Sequence, residues 1–215
     1  MKKKIRYKVV DTVGQLTAII TDKINMGALA KTAKTIMGNN LSIEQVGYLD
    51  GSRFVMMGDE LSINGLLAAA YLVKGTRKVN GIPFVREDNQ VSLKLPNTII
   101  KSVSEQIVRL DGMTYQLCDT PPSSRVISSN TKQLLNSLAL SSPASGIIYY
   151  NGVSIMPLIF VKATNSYVWE NACGSGSLAF ALVTSVTQVE QPSGQIIEFQ
   201  FTKSNITVTA AVKEI

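Results

Sequence analysis

The sequence predicts an α+β protein of two pseudo-symmetric halves, each a curled β-sheet wrapped around a central alanine-rich helix. A repeat is the leading sign. Ser62-Ile-Asn-Gly-Leu-Leu-Ala-Ala-Ala-Tyr-Leu-Val returns about half a chain later as Cys173-Gly-Ser-Gly-Ser-Leu-Ala-Phe-Ala-Leu-Val-Thr. Gly65, Leu67, Ala68 and Ala70 match Gly176, Leu178, Ala179 and Ala181. The order of segments before each copy is the second sign: strands, a helix, a strand pair and a turn. Side-chain size is the third, because small residues let a helix sit inside a sheet that curls around it. The halves are expected at residues 1–104 and 105–215, with the last strands free to pack back on the first half.

Each element has a local reason. Ile5 to Val10 and Leu16 to Thr21 are rich in β-branched residues and read as strands. Asn25 is expected to cap a helix with Met26, Leu29, Ala30, Ala33, Ile36 and Met37 on one face and Gly38 as its stop. Glu44 to Leu49 and Arg53 to Met57 form a hairpin through Asp50-Gly51. Asp59 to Ser62 is a turn, and the first alanine-rich helix runs to about Lys74. Lys78 to Val85 and Gln90 to Leu95 make a further hairpin, and Pro96 opens the crossover. In the second half, Gln106 to Arg109 and Met113 to Cys118 read as strands, ended by Pro121-Pro122. Ser129 or Asn130 is expected to cap a helix through Leu140, with Leu134, Leu135 and Leu138 inward. Ile147 to Tyr150 and Ser154 to Lys162 are strands around Asn151-Gly152. The second alanine-rich helix runs from Cys173 to about Val186, and Ile196 to Phe201 and Ile206 to Val212 close the chain.

Composition excludes several functions. At 215 residues and 45% hydrophobic content the chain has a sizeable core, as one large domain or two of roughly 100 residues. Its longest apolar run, Leu66 to Val73, falls short of the roughly 18 residues that span a membrane. The N-terminal residues carry no signal-peptide pattern, and with two cysteines a cytoplasmic, reduced protein is expected. The net charge is +6, half of it from Lys2, Lys3 and Lys4, and no aromatic-interleaved basic stripe suggests nucleic acid. Histidine is absent, which excludes Ser-His-Asp triads and histidine metal ligands. No Walker loop, dinucleotide fingerprint or zinc spacing is present.

The two turns before the alanine-rich helices are the candidate chemistry. A thiol at a helix N-terminus has its thiolate favoured by the dipole and by free backbone N–H groups. The same N–H groups bind carboxylates. A ligand carboxylate held by the backbone at Gly174, Ser175 and Gly176, with a further bond from Asn64, would bring its α-carbon beside Cys173. With Ser62 on the other side, the α-proton leaves one face and returns on the other, which inverts the centre. Cys118 reads as core and Trp169 as packing. Asp59 and Glu170 each lie three residues ahead of Ser62 or Cys173, a place where acids are common.

These stretches resemble the cofactor-independent diaminopimelate epimerase-like group, and within it the histidine racemases of the staphylopine metallophore pathway. The resemblance rests on Glu44-Gln-Val-Gly-Tyr, Met57-Gly-Asp-Glu-Leu-Ser-Ile-Asn, Pro157-Leu-Ile-Phe-Val, Trp169-Glu-Asn-Ala-Cys-Gly-Ser-Gly-Ser and Gln191-Pro-Ser-Gly. It implies two halves with a cleft between them, a thiol from each half, and no pyridoxal phosphate or metal. By position Ser62 and Cys173 fall on the two catalytic cysteines, and Asn64 with Gly174, Ser175, Gly176 and Ser177 on the carboxylate grip. Glu44 falls on an acid facing the substrate side chain, and Glu60 and Glu170 are further substrate-binding candidates within the matched stretches. The arginine and acid that hold the distal end of diaminopimelate have no match here, and Ser62 stands where a cysteine is expected.

An amino-acid racemase or epimerase is therefore expected, with histidine as first substrate, no nucleic-acid or membrane partner, and a homodimer open. Ser62 leaves alternatives: a serine-tolerant racemase, a one-base dehydratase or lyase, a cysteine replaced by design, or an amino-acid-binding relative that has lost the chemistry.

Overall fold

A computed structural model describes residues 5–215; the basic cluster Lys2, Lys3 and Lys4 lies outside the described residues. The first half runs β1 (Tyr7–Thr12), β2 (Gln15–Ile20), α1 (Leu29–Asn39), β3 (Ile43–Asp50), β4 (Arg53–Met56), α2 (Ile63–Leu72), β5 (Lys78–Val79), β6 (Ile82–Glu87) and β7 (Gln90–Pro96). The second runs β8 (Ile100–Val103), β9 (Ile107–Leu110), β10 (Met113–Cys118), α3 (Ser129–Leu138), β11 (Ala144–Asn151), β12 (Ser154–Val161) and β13 (Ser166–Trp169). It continues through α4 (Gly174–Thr184), β14 (Gln188–Glu190), β15 (Ile196–Phe201) and β16 (Asn205–Glu214).

One pairing scheme occurs twice. An antiparallel pair, β1 with β2, is followed by α1 as a crossover, so that β3 joins β2 in parallel before turning back as β4. In the second half β9 pairs with β10, α3 crosses over, β11 joins β10 in parallel, and β12 returns antiparallel. Each scheme delivers the chain to the start of an alanine-rich helix. Strand β16 pairs with β15 on one edge, with β7 on the other, and with β1 through Val10 to Thr12, so the described strands hydrogen-bond into one continuous sheet.

The two central helices are apolar all round, as helices enclosed by a sheet must be. α2 packs inside β1, β2, β3, β7 and β16, and α4 inside β9, β10, β11 and β15. Leu67, Leu178 and Phe180 are fully buried, and burial of each such side chain contributes about 1.5–3 kcal/mol. Ala68, Ala69, Ala70, Ala179 and Ala181 are buried too, and their size lets strands approach the helix backbone.

Several boundaries differ from expectation for local reasons. Asn25 caps a short 3-10 turn, Met26–Ala28, accepting the Gly27 N–H at 2.9 Å; this turns Met26 outward before α1 begins. Gly38 does not stop α1 but lies within it. The strand expected over 78–85 is split by a tight turn in which Asn80 (φ 50°) and Gly81 (φ 77°) are both left-handed, the geometry of a two-residue hairpin. Ser128, not Ser129 or Asn130, caps α3 by accepting the Thr131 N–H at 3.1 Å. On α3 only Leu135 is fully buried, with Leu134 and Leu138 half-buried. Strands β8, β13 and β14 carry too few residues for an alternation pattern to register.

Candidate active site

Ser62 and Cys173 are the N-caps of α2 and α4, and both line one cavity between the halves. Gly174 allows the two helix starts to meet: a Cβ there would lie 2.7 Å from Asn64 Oδ1 and 2.9 Å from Ile63 Cβ. The Gly174 N–H donates to Asn64 Oδ1 at 2.9 Å. Asn64 Nδ2 donates to Gln15 Oε1 (2.7 Å) and to the Ala172 carbonyl (3.2 Å). Asn64 and Gly174 were expected to grip a ligand carboxylate. The geometry corrects this: they bond to each other and tie the two helix N-termini together, leaving neither group free.

The two caps repeat one device with different chemistry. The Ser62 hydroxyl accepts the Gly65 N–H at 2.9 Å and donates to Gln45 Oε1 at 2.8 Å. Gln45 is held in turn, its Nε2 donating to Gln15 Oε1 (2.9 Å) and Thr17 Oγ1 (2.7 Å). An amide oxygen accepts a hydrogen bond but does not take a proton near neutral pH, so Ser62 has no base beside it. At the matching step of α4, Cys173 makes no side-chain capping bond; its sulfur lies 3.9 Å from Tyr115 Oη and 4.0 Å from Ser175 Oγ, with the Gly176 N–H favouring its thiolate and the Glu170 carboxylate disfavouring it.

Burial nevertheless dominates at Cys173. It pushes the thiol well above the usual range, the Glu170 charge and hydrogen bond push it further, and the bonds from Gly176 and Tyr115 only partly offset them. Glu170 is raised to about 8, first by burial and then by the charges of Glu44 and Glu60, against a lowering by the Cys173 thiol. The thiol and the carboxyl are therefore a coupled pair that titrates in steps belonging to the pair rather than to either residue.

The remaining expected residues divide. Ser175 lines the cavity, its hydroxyl 2.7 Å from Tyr115 Oη. Gly176 and Ser177 do not line it. The Ser177 hydroxyl donates to the Cys173 carbonyl (2.7 Å) and accepts from Gln191 Nε2 (2.9 Å), whose Oε1 accepts the Cys173 N–H (2.9 Å). Ser177 and Gln191 thus position the Cys173 backbone. Glu44 lines the cavity with both oxygens engaged across the halves, accepting the Asn171 N–H (2.9 Å) and Asn171 Nδ2 (2.5 Å). Burial still raises it. Glu60 also lines the cavity, and its Oε2 is buried without a hydrogen-bond partner. Burial raises Glu60 to about 7, against backbone N–H groups of its own turn.

Gln15, Gln45 and Tyr115 are the cavity residues that sequence reasoning missed. Gln15 and Gln45 are buried polar residues on strands, and a polar residue at an inward strand position was the available signal. Tyr115 alternates with Met113 and Leu117 as an inward residue of β10, a pattern that reads as core. Trp169 packs on the Tyr149 ring (centroids 5.7 Å apart) and its indole N–H donates to the Arg125 carbonyl at 2.7 Å. The cavity itself holds about 20 Å³, room for roughly one water, so an amino acid is accommodated only when the lining moves apart. Among the described residues no three His, Cys, Asp or Glu side chains group as metal ligands, and no helix is long and apolar enough to cross a membrane.

A profile of the histidine racemase CntK N-terminal domain matches residues 81–213, a span that includes Cys173 but not Ser62. The chain belongs to this family. The histidine racemase of Fusobacterium nucleatum is 24% identical, over 79% of this chain and 77% of its own. Solved structures agree on the fold. A protein described as a predicted epimerase from Pseudomonas aeruginosa superposes with a TM-score of 0.62 at 13% identity, over 99% of this chain and 97% of that one. A phenazine biosynthesis PhzF-family protein from Enterococcus faecalis gives 0.58 at 13%, over 97% and 96%. The fold is diaminopimelate epimerase-like.

Proposed function

We propose that the protein moves the α-proton of an amino acid, as a racemase or epimerase, with Cys173 and Glu170 working one face and Ser62 on the other. Histidine is the first substrate to test, since the family profile and the Fusobacterium relative both carry that name. The observation that carries the reading is the meeting of two helix N-termini at one cavity, one led by a thiol that shares the cavity with the Glu170 carboxylate and the other by a hydroxyl. The Ser175 N–H group in the first turn of α4 lines the cavity, with the dipole behind it, and suits a substrate carboxylate.

On the Cys173 face, the Glu170 carboxylate takes the thiol proton as the sulfur takes the proton from Cα. The carbanion that forms is stabilised by the protonated α-amino group and by N–H groups around the carboxylate. The substrate ammonium also lowers the cost of ionising a pair that burial otherwise keeps protonated. On the other face Ser62 hands over a proton poorly and takes one worse, because its partner is the Gln45 amide. Exchange of the α-proton with solvent on the Cys173 face should therefore outrun inversion.

The test is L-histidine in deuterium oxide, with Cα exchange read by proton NMR and the D-enantiomer by chiral chromatography. Exchange faster than inversion supports the reading. Absence of exchange from every common amino acid, with both this chain and Ser62→Cys, rejects it.

A further inference from the structure

We propose that Glu60 is the specificity residue of this site, and that it selects an amino acid with a cationic side chain. The inference rests on the racemase reading and names the substrate class for it. Three carboxylates, Glu44, Glu60 and Glu170, line the cavity, and no lysine or arginine does, in a chain whose net charge is +6. The carboxylates are not equivalent. Glu44 is occupied by Asn171, and neither oxygen of Glu170 is among the buried atoms left without a partner. Glu60 alone keeps a buried oxygen with no partner. A second unpartnered group lies in the same cavity: Gln15 is 1% exposed, and its Nε2 has no close hydrogen-bond partner.

A buried carboxylate oxygen without a donor costs free energy unless a ligand supplies one. A zwitterionic amino acid brings one ammonium at Cα, which Glu170 beside Cys173 is placed to receive. Glu60 needs a different donor. It lies toward the mouth: Glu60 and Leu61 line both the cavity and an outer groove that also carries Asp59 and Asp111, the latter 3.5 Å from Lys101. Apolar Met57 and Met113 line the same cavity as Glu60. Thioether side chains are unbranched and yield to a ligand. An ammonium, guanidinium or imidazolium at that depth would ion-pair with Glu60 in a desolvated setting, where one lost partner is strongly felt.

The test is calorimetric titration of the full chain with L-arginine against its neutral isostere L-citrulline, and L-lysine against L-norleucine, repeated with Glu60→Gln. Arginine and lysine should bind at least about tenfold more tightly than their partners, and Glu60→Gln should remove that ratio. Equal binding within each pair, or a ratio that survives Glu60→Gln, overturns the assignment. If Glu60→Gln fails to fold, the ratios in the unaltered chain still decide. Neutral amino acids bound in preference sink the assignment of Glu60 alone, whereas no binding of any amino acid sinks the racemase reading with it.

Discussion

Replacing Ser62 by cysteine should raise inversion of the substrate far more than it raises exchange. In the present chain the Ser62 hydroxyl donates to Gln45 Oε1 at 2.8 Å and accepts the Gly65 N–H at 2.9 Å, so it is fully bonded and has no base nearby. A sulfur in its place keeps the Gly65 N–H and the α2 dipole and titrates far closer to neutral pH, at about 8.5 when free. A positioned proton-transfer group is worth roughly 10²–10⁴-fold, and the D-product rate should rise within that range toward the exchange rate. The substitution has a structural cost, since Ser62 caps α2 and a weaker cap loses about 1 kcal/mol. For a chain of this size that lowers Tm by roughly 2–4 °C, too little to unfold the protein at assay temperature. The assay follows L-histidine, read for Cα deuterium and for the D-enantiomer in the same tube. An inversion rate unchanged in Ser62→Cys, with exchange intact, would refute the assignment of Ser62 to the second face.

Further outcomes follow from the carboxylates and the helix junction. The pH profile of kcat/KM for exchange should rise through a limb near 8, set by the Cys173–Glu170 pair, and Glu170→Gln should abolish that limb and lower the rate; an unchanged profile would separate Glu170 from the chemistry. Glu60, at about 7 against an ordinary 4.5, holds its proton more tightly folded than unfolded. Its contribution is thus complete below pH 4.5 and lost as pH rises through 7, of order 3 kcal/mol. Urea unfolding of Glu60→Gln should lack that decline. Asn64→Ala leaves the Gly174 N–H, the Ala172 carbonyl and Gln15 Oε1 short of a partner, at about 1–3 kcal/mol for each group left unsatisfied. A loss below about 1 kcal/mol in chemical denaturation would mean that the junction does not depend on this bridge.

The repeat was legible because its signals are local. Matched glycines and alanines mark two enclosed helices, and a Ser or Cys ahead of each marks a cap. The strands around them showed wherever four or more β-branched or alternating residues ran together. What stayed hidden depends on partners far apart in sequence. Asn64 reads as a donor to a ligand until Gly174, 110 positions away, is seen beside it. Glu44 likewise reads as free until Asn171 is found against it, 127 positions away. The surroundings of Cys173 were hidden for the same reason. A dipole can be inferred from a helix start, but burial and the closeness of Glu170 come only from packing. Gln15 and Gln45 were overlooked because a polar residue on a strand usually faces water, whereas these point inward, under α2.

All of this depends on sulfur chemistry at a carbon held between two helix ends, and isotope exchange with Cys173→Ala probes it most directly. This chain should wash the Cα proton from at least one enantiomer of an accepted amino acid, while Cys173→Ala, folded by circular dichroism and still binding that amino acid, should wash it from neither. Exchange by Cys173→Ala at the rate of the unaltered chain would contradict the account at its root.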